Sequence, residues 1–201
     1  MARPRSYDPH LVVAAAKHVF WEQGYEGTAI SDLESATGLS RSSLYLAFET
    51  KQGLFHAALT EYEQSFIDTM LGPVEAPGSG LTEAAGFFVA LAALFHDRAW
   101  QRGCLMINSI TELAARDATV ARRGAQFADR FRAAFSNALR APVSEGLMSE
   151  RDAARRSELL AGAALGAWVA VRADHDAAVV TCLAVASEIG TWGSVRSEGL
   201  R

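Results

Sequence analysis

The chain has 201 residues, of which 50% are hydrophobic and 21% charged, with 5 prolines and a formal net charge of −4. That composition can bury a core and excludes a disordered chain; as a prior, the length allows one ordinary domain or two small ones. No uncharged apolar run is long enough to span a membrane: the longest, 159–171, stops between Glu158 and Arg172 and is rich in Gly and Ala.

Apolar residues recur at helical spacing nearly throughout, and no stretch sustains strand alternation, so an all-α fold is expected. Asp8 and Pro9 form a helix start, with Asp capping free N–H groups and Pro tolerated in the first turn. This helix is expected to run to Gln23, with Gly24 in a left-handed terminal turn. Its apolar stretch Leu11–Ala16 is interrupted by Lys17 and His18, so no targeting segment is expected. Thr28 is expected to cap a short second helix carrying Ile30, Leu33 and Ala36, which Gly38 ends. Ser40 opens a third helix with Leu44, Tyr45 and Phe48. A long helix over about 50–70 places Phe55, Leu59, Tyr62, Phe66 and Met70 on one stripe. Gly72–Gly80, "GPVEAPGSG", reads as a linker. Helices then follow over about 82–96, 103–115, 117–140, 150–172 and 175–192. Pro142 and Gly146 separate the third of these from the fourth, and Asp174 and Asp176 cap the last. The expected architecture is a small N-terminal unit and a larger C-terminal bundle, about nine helices in all.

Thr28–Lys51, "TAISDLESATGLSRSSLYLAFETK", carries the most chemistry. Two short amphipathic helices joined by a tight Gly-Leu-Ser turn are the helix-turn-helix pattern, whose second helix enters the DNA major groove. Ile30, Leu33, Ala36, Leu39 and Leu44 supply its interior. Ser40, Arg41, Ser42, Ser43 and Tyr45 face outward as groups for base edges and phosphates. Arg41 alone can grip a guanine edge with two hydrogen bonds. Thr28 and Lys51, at helix starts, are phosphate candidates. The charge balance restrains this reading. Over residues 1–52, Arg3, Arg5, Lys17, Arg41 and Lys51 stand against Asp8, Glu22, Glu26, Asp32, Glu34 and Glu49. DNA binding must therefore rest on a few placed cations.

Ala16, Phe20, Gly24, Tyr25, Thr28, Ile30, Leu33, Ala36, Gly38, Ser40, Leu44, Tyr45, Phe48, Lys51 and Leu54 stand in the register of one family. Over residues 9–55 the chain resembles the N-terminal domain of TetR-type bacterial transcriptional repressors. The resemblance implies a helix-turn-helix domain over 1–52 and a ligand-binding and dimerisation domain over 53–201. It makes Thr28, Ser40, Arg41, Ser42, Tyr45 and Lys51 DNA-contact candidates, Tyr45 and Lys51 mainly for phosphate. Ala47 and Leu46 depart from the family pattern and remove possible phosphate contacts. Glu34, where Ala is common, reads as an exposed, neutral change. Arg3 and Arg5 are candidates for an arm that reaches a groove or phosphate.

The resemblance also implies a small-molecule effector, a homodimer, double-stranded operator DNA as partner and a cytoplasmic location. Among the aromatic residues of the bundle, Phe88, Phe95, Trp100, Phe127, Phe131 and Trp168, with Cys104, Ile107 and Asn108, are candidates to line an effector pocket; an aromatic core is the competing reading. "AGAALGAW" (161–168) exposes Gly162 and Gly166 to a close neighbour, and Val180, Leu183 and Ala184 follow on the last helix. Such a face can pack within one chain or between two copies, and the resemblance favours two copies. Two cysteines, Cys104 and Cys182, suit a reducing compartment. His10, His18, His56, His96 and His175 show no metal-ligand spacing, and no phosphate loop or nucleophile elbow is present. Neither cofactor, metal nor catalysis is expected. The competing functions are a thiol-based oxidant or electrophile sensor using Cys104, and a helical ligand-binding protein without DNA binding.

Overall fold

A computed structural model describes residues 7–193 and is all-helical over them. In chain order the helices are α1 (Pro9–Gly27), α2 (Ile30–Thr37), α3 (Arg41–Phe48), α4 (Lys51–Tyr62), α5 (Asp68–Glu75), α6 (Leu81–Phe95), α7 (Leu105–Leu113), α8 (Ala118–Ala138), α9 (Arg140–Ser144), α10 (Glu150–Ala170) and α11 (His175–Thr191). A π turn, Glu63–Ile67, joins α4 to α5 without a break, so the three form one rod. With the rod taken as one helix and the five-residue α9 set aside, the described residues hold the nine helices expected.

The N-terminal start is as read: the Asp8 carboxylate accepts from the His10 N–H at 2.8 Å, with Pro9 in the first turn. Gly24 adopts a left-handed φ of 76° with a non-helical ψ of 173°, so the first helical piece of α1 ends at Gln23 as expected, and a short second piece follows across the kink as far as Gly27. Thr28 does not cap α2. Its hydroxyl turns back to donate to the Gly24 carbonyl at 2.6 Å, and the Asp32 carboxylate takes the free Ala29 N–H at 2.8 Å. Ser40 does cap α3, accepting from the Ser43 N–H.

One proline-containing stretch expected to break the helices does not. The rod passes through Gly72 and Pro73 to Glu75, so only Ala76–Gly80 acts as a connection. Leu71 and Val74 continue its buried stripe, which repays the hydrogen bond that Pro73 cannot donate. Partners on α8 then fasten its end. Arg130 spans Glu75, through Nε at 2.6 Å and Nη2 at 2.7 Å, and Asp68 at 2.6 Å. The Asn137 amide donates to the Val74 and Ala76 carbonyls and the Ser79 hydroxyl. Pro142 and Gly146 do separate α8 from α10, with Pro142 buried in the short α9 between them and Gly146 at a left-handed φ of 73°.

The core is continuous from α1 to α11. Phe87 and Phe88 of α6 interlock with Phe131 and Phe135 of α8, Phe88 stacking on Phe135 at 5.6 Å. A second aromatic group joins α1, the rod, the turn before α7 and α10 around Trp21, Tyr62, Phe66, Trp100 and Trp168. α6 lies along α11, α1 along α4, and α8 along α10.

The turn from α3 to α4 is only two residues, Glu49 and Thr50. Glu49 takes a left-handed φ of 64°, a strained conformation for a residue with a side chain. The Thr50 hydroxyl caps α4 by accepting from the Gly53 N–H at 3.0 Å. A Cβ at Gly53 would lie 2.2 Å from the Phe48 carbonyl oxygen, a backbone atom that cannot swing aside. Gly53→Ala is therefore expected to cost about 2–4 kcal/mol by displacing α3 from α4. In contrast, Gly86→Ala, at an exposed position of α6, meets nothing within 4 Å and should stabilise by about 0.5–1 kcal/mol. Urea denaturation of both variants checks the pair.

Candidate nucleic-acid interface and effector region

Leu33 and Leu44 are buried between α2, α3 and the helices beneath, which turns the remaining face of α3 outward. Arg41 and Ser42 are exposed there, and Tyr45 is half-buried with the Arg41 guanidinium 5.3 Å from its ring centroid. Ser43 is half-buried, and its hydroxyl and that of Ser42 each lie 3.0 Å from Ser40 Oγ. Glu34 corrects the sequence reading: its carboxylate accepts from the Arg41 N–H at 2.6 Å, fixing the start of α3 against α2. Lys51 holds its ammonium 4.4 Å over the Tyr25 ring, beside the same surface. Thr28 is buried, its hydroxyl committed to Gly24. Leu46 was read only as a lost contact, yet it stands 89% exposed on α3. Arg3 and Arg5 lie outside the described residues.

Two carboxylates at the other end of this unit tie it to the bundle. Glu112 of α7 accepts from the Tyr25 N–H at 3.0 Å and the Glu26 N–H at 2.8 Å, past the kink in α1. Asp117, the cap of α8, accepts from Gln52 Nε2 at 2.8 Å and lies 3.1 Å from His56 Nε2 on α4. Partial burial pushes the Asp117 carboxyl up, but hydrogen bonds from Gln52, the Val120 N–H, His56 and the Thr119 N–H outweigh it and bring it down to about 2. Arg123 of α8 reaches Glu63 at 2.6 Å and Thr60 at 3.0 Å, at the π turn. Arg102 pairs with Glu22 and lies 3.8 Å over the Trp21 ring, while Trp21 Nε1 donates to the Gly103 carbonyl at 2.8 Å. Between α1 and α7 these contacts leave a polar cleft of about 310 Å³, whose walls include Trp21, Tyr25, Asn108, Glu112 and Arg172. Sequence spacing gives no sign of this junction, because its partners lie more than sixty residues apart.

The expected pocket residues fall into two aromatic groups. Phe88, Phe127 and Phe131 pack with Phe87 and Phe135. Phe95 and Trp100 pack on Trp168, with centroids 5.0 and 5.9 Å away. Ile107 is buried in the core. Asn108 is half-buried, donating to the Arg102 carbonyl and accepting from Arg172, each at 2.8 Å. Cys104 is fully buried. Burial pushes its thiol up to about 11, with the Tyr62 hydroxyl and backbone N–H groups only partly opposing, which disfavours the reactive thiolate.

On the outer face of α10 and α11, Leu159, Val169, Val180 and Leu183 are 66, 54, 66 and 47% exposed. Gly162, Gly166 and Ala184 are exposed among them, and a Cβ on either glycine would meet nothing within 4 Å. Packing within the chain therefore gives no reason for glycine at either position.

A family model described as bacterial regulatory proteins, tetR family, matches residues 12–58. Over 113 residues the chain is 34% identical to the HTH-type transcriptional repressor ComR of Escherichia coli, covering 56% of this chain and 54% of that protein. That alignment thus spans about half of ComR. Over 152 residues it is 32% identical to the uncharacterized HTH-type transcriptional regulator YezE of Bacillus subtilis, covering 76% of this chain and 78% of that one. In fold it is similar to a cysteine mutant of the TetR family transcriptional regulator CifR, solved with operator DNA. The TM-score is 0.78 at 24% identity, over 93% of this chain and 97% of that one.

The Asp117 cap carries a pH signature. Its carboxyl is held below its ordinary 3.8 in the folded chain, so its contribution is complete above about pH 4 and lost as pH falls through about 2. With solvent screening allowed for, that loss is on the order of 1 kcal/mol. Urea midpoints of the native chain and Asp117→Asn should differ at pH 6 and converge toward pH 2, on the order of that loss.

Proposed function

The chain belongs to the tetR family of bacterial regulatory proteins, and from that membership we propose that it is a transcriptional repressor, acting in the cytoplasm as a homodimer on a palindromic operator and released by a small apolar or aromatic effector. The observation that carries the reading is the outward face of α3, where Arg41, Ser42 and Tyr45 stand on a helix fixed at its start by Ser40 and Glu34. In this reading residues 1–52 read DNA, and residues 53–201 bind effector and dimerise.

Arg41 is the base reader, through the O6 and N7 edge of guanine. Ser40, Ser42, Tyr45 and Lys51 serve the phosphates, with Ser43 ordering the Ser40 cap and Thr28 the approach to α2. Leu46 adds an apolar group suited to a thymine methyl. The outer face of α10 and α11 is the dimer surface. Mid-helix glycines cost about 1 kcal/mol each relative to Ala, and at Gly162 and Gly166 the close approach of a second copy accounts for them. Effector in the bundle acts through the rod, whose first turn carries α3. It does so only by binding one arrangement of the two reading helices better than the other.

Selection from random oligonucleotides, followed by fluorescence anisotropy, tests the reading. Enrichment of a two-fold symmetric site is expected; its absence at low salt would leave a ligand-binding protein without DNA recognition. Arg41→Ala should lose about 1–3 kcal/mol on the selected site and less on scrambled DNA, whereas Lys51→Ala should weaken both alike. Leu46→Ala should lose discrimination at a thymine position. Val180→Asp with Leu183→Asp should convert dimer to monomer in analytical ultracentrifugation while leaving the helical circular dichroism unchanged.

A further inference from the structure

We propose that the aromatic box at the start of α7 is the effector site, that it takes a planar aromatic molecule bearing a carbonyl or carboxylate oxygen, and that the Trp100 side chain fills it until such a molecule enters. The proposal rests on the ligand-responsive reading above and supplies the chemistry of its effector.

The box joins four parts of the chain. Trp21 of α1 meets Tyr62 of α4 edge-on at 5.0 Å, and Phe66 of the π turn lies 5.4 Å from Tyr62 and 5.9 Å from Trp168 of α10. Trp100 sits among them, stacked on Phe66 at 4.5 Å and 5.2 Å from Trp21. Within this apolar surround two polar atoms are buried without a hydrogen-bond partner, Tyr62 Oη and Trp168 Nε1, on side chains with no exposed surface. Buried polar groups are ordinarily paired, and leaving one unpaired costs more than a hydrogen bond returns. The Tyr62 hydroxyl faces the Cys104 thiol and the Leu105 N–H at the first turn of α7, but makes a well-formed bond with neither. Cys104, at the cap position of α7, gives no side-chain cap.

These surroundings define what is missing. An indole N–H only donates, a phenol donates readily, and the free N–H groups of a helix start present partial positive charge. The Arg102 guanidinium on Trp21 adds a cation at the margin, and its Nε is also buried and unpaired. A group of donors beside a cation calls for an oxygen acceptor and repels an amine. The flat rings around it call for a flat, apolar body.

Trp100 has the features of a removable occupant. It belongs to a three-residue 3-10 turn, Arg98–Trp100, between α6 and α7, and residues 96–99 are exposed. Such a turn rearranges at low cost compared with a packed helix. Its departure would free the volume of an indole between Trp21, Phe66 and Trp168, with Phe66 in the π turn, and π turns are frequent at functional sites. The polar cleft beneath Glu112 is a weaker candidate, because Asn108, Ser109, Thr111 and Glu112 along its wall already have partners.

Calorimetry on the full-length protein without DNA tests this with three probes: acetophenone, benzoate and toluene. Acetophenone, benzoate or both should bind, raise the melting temperature and quench indole fluorescence, with toluene at least tenfold weaker; which of the two binds assigns the charge of the oxygen. Tyr62→Phe and Trp168→Phe should each reduce that preference for an oxygen about tenfold. Trp100→Ala should bind the same probes at least tenfold more tightly, and it carries the test should Tyr62→Phe fail to fold. Toluene binding as well as acetophenone, no probe binding to the native chain, or Trp100→Ala gaining no affinity would each overturn the proposal. The two readings fail separately. A protein that selects no operator but binds acetophenone keeps the site, whereas one that selects an operator but binds no probe loses it.

Discussion

The grip of one carboxylate on two backbone N–H groups organises this molecule. α1 carries a left-handed residue about four turns from its start, at Gly24, and such a kink leaves amides beyond it without helical partners. Glu112, from α7, takes the amides of Tyr25 and Glu26. A side chain at Gly24 would be strained by its φ of 76°, and its Cβ would crowd the Glu112 carboxylate at 3.0 Å. The segment leading into α2 is thus positioned by the bundle and not by its own sequence neighbours. Asp117 repeats the device on the other side through Gln52 and His56. A shift of the α7–α8 connection would therefore move the floor of the DNA-reading unit at two points together.

The helices were legible because their signals are local. Asp8-Pro9, Ser40 and Asp174 announce starts, and the side chains of Asp8, Ser40 and Asp174 cap α1, α3 and α11. Where the reading failed, a distant partner had overridden a local rule. Gly72 and Pro73 look like a break until Arg130 and Asn137 arrive from α8 to hold the end of the rod. Thr28 looks like a cap until Asp32 takes that role. The candidate DNA-contact residues could be named from their spacing, since a helix-turn-helix packs its core within two dozen residues. The carboxylate junction, the exposure of Leu46 and the two unpaired polar atoms of the aromatic box could not. The junction and the box depend on side chains that the bundle brings together from forty or more positions apart, and the exposure of Leu46 on how α3 sits on its neighbours.

The acidic balance of the chain also acquires a physical sense. Several of its described arginines are paired within the molecule: Arg102 on Glu22, Arg123 on Glu63, Arg130 on Asp68 and Glu75, Arg132 on Asp129 and Glu158. Arg41 and Lys51 instead rest on tyrosine rings, with Tyr45 and Tyr25 beneath them. An aromatic face restrains a cation without neutralising it, and leaves its charge available to a phosphate or a base. Weak general attraction to polyanions then lowers the background against which a specific site competes.

The bare backbone at Gly162 and Gly166 has one more consequence. A cell that makes several related proteins of this architecture must keep their subunits from mixing. A surface that complements itself only where both copies lack side chains works as a sorting rule: a relative carrying even a methyl group at the crossing point holds the helices apart and forfeits the contacts on either side. Solitary chains pay for those glycines in helix stability. In the dimer proposed above, what they would gain is fidelity of pairing, an attribute of a population of proteins that no single folded chain displays.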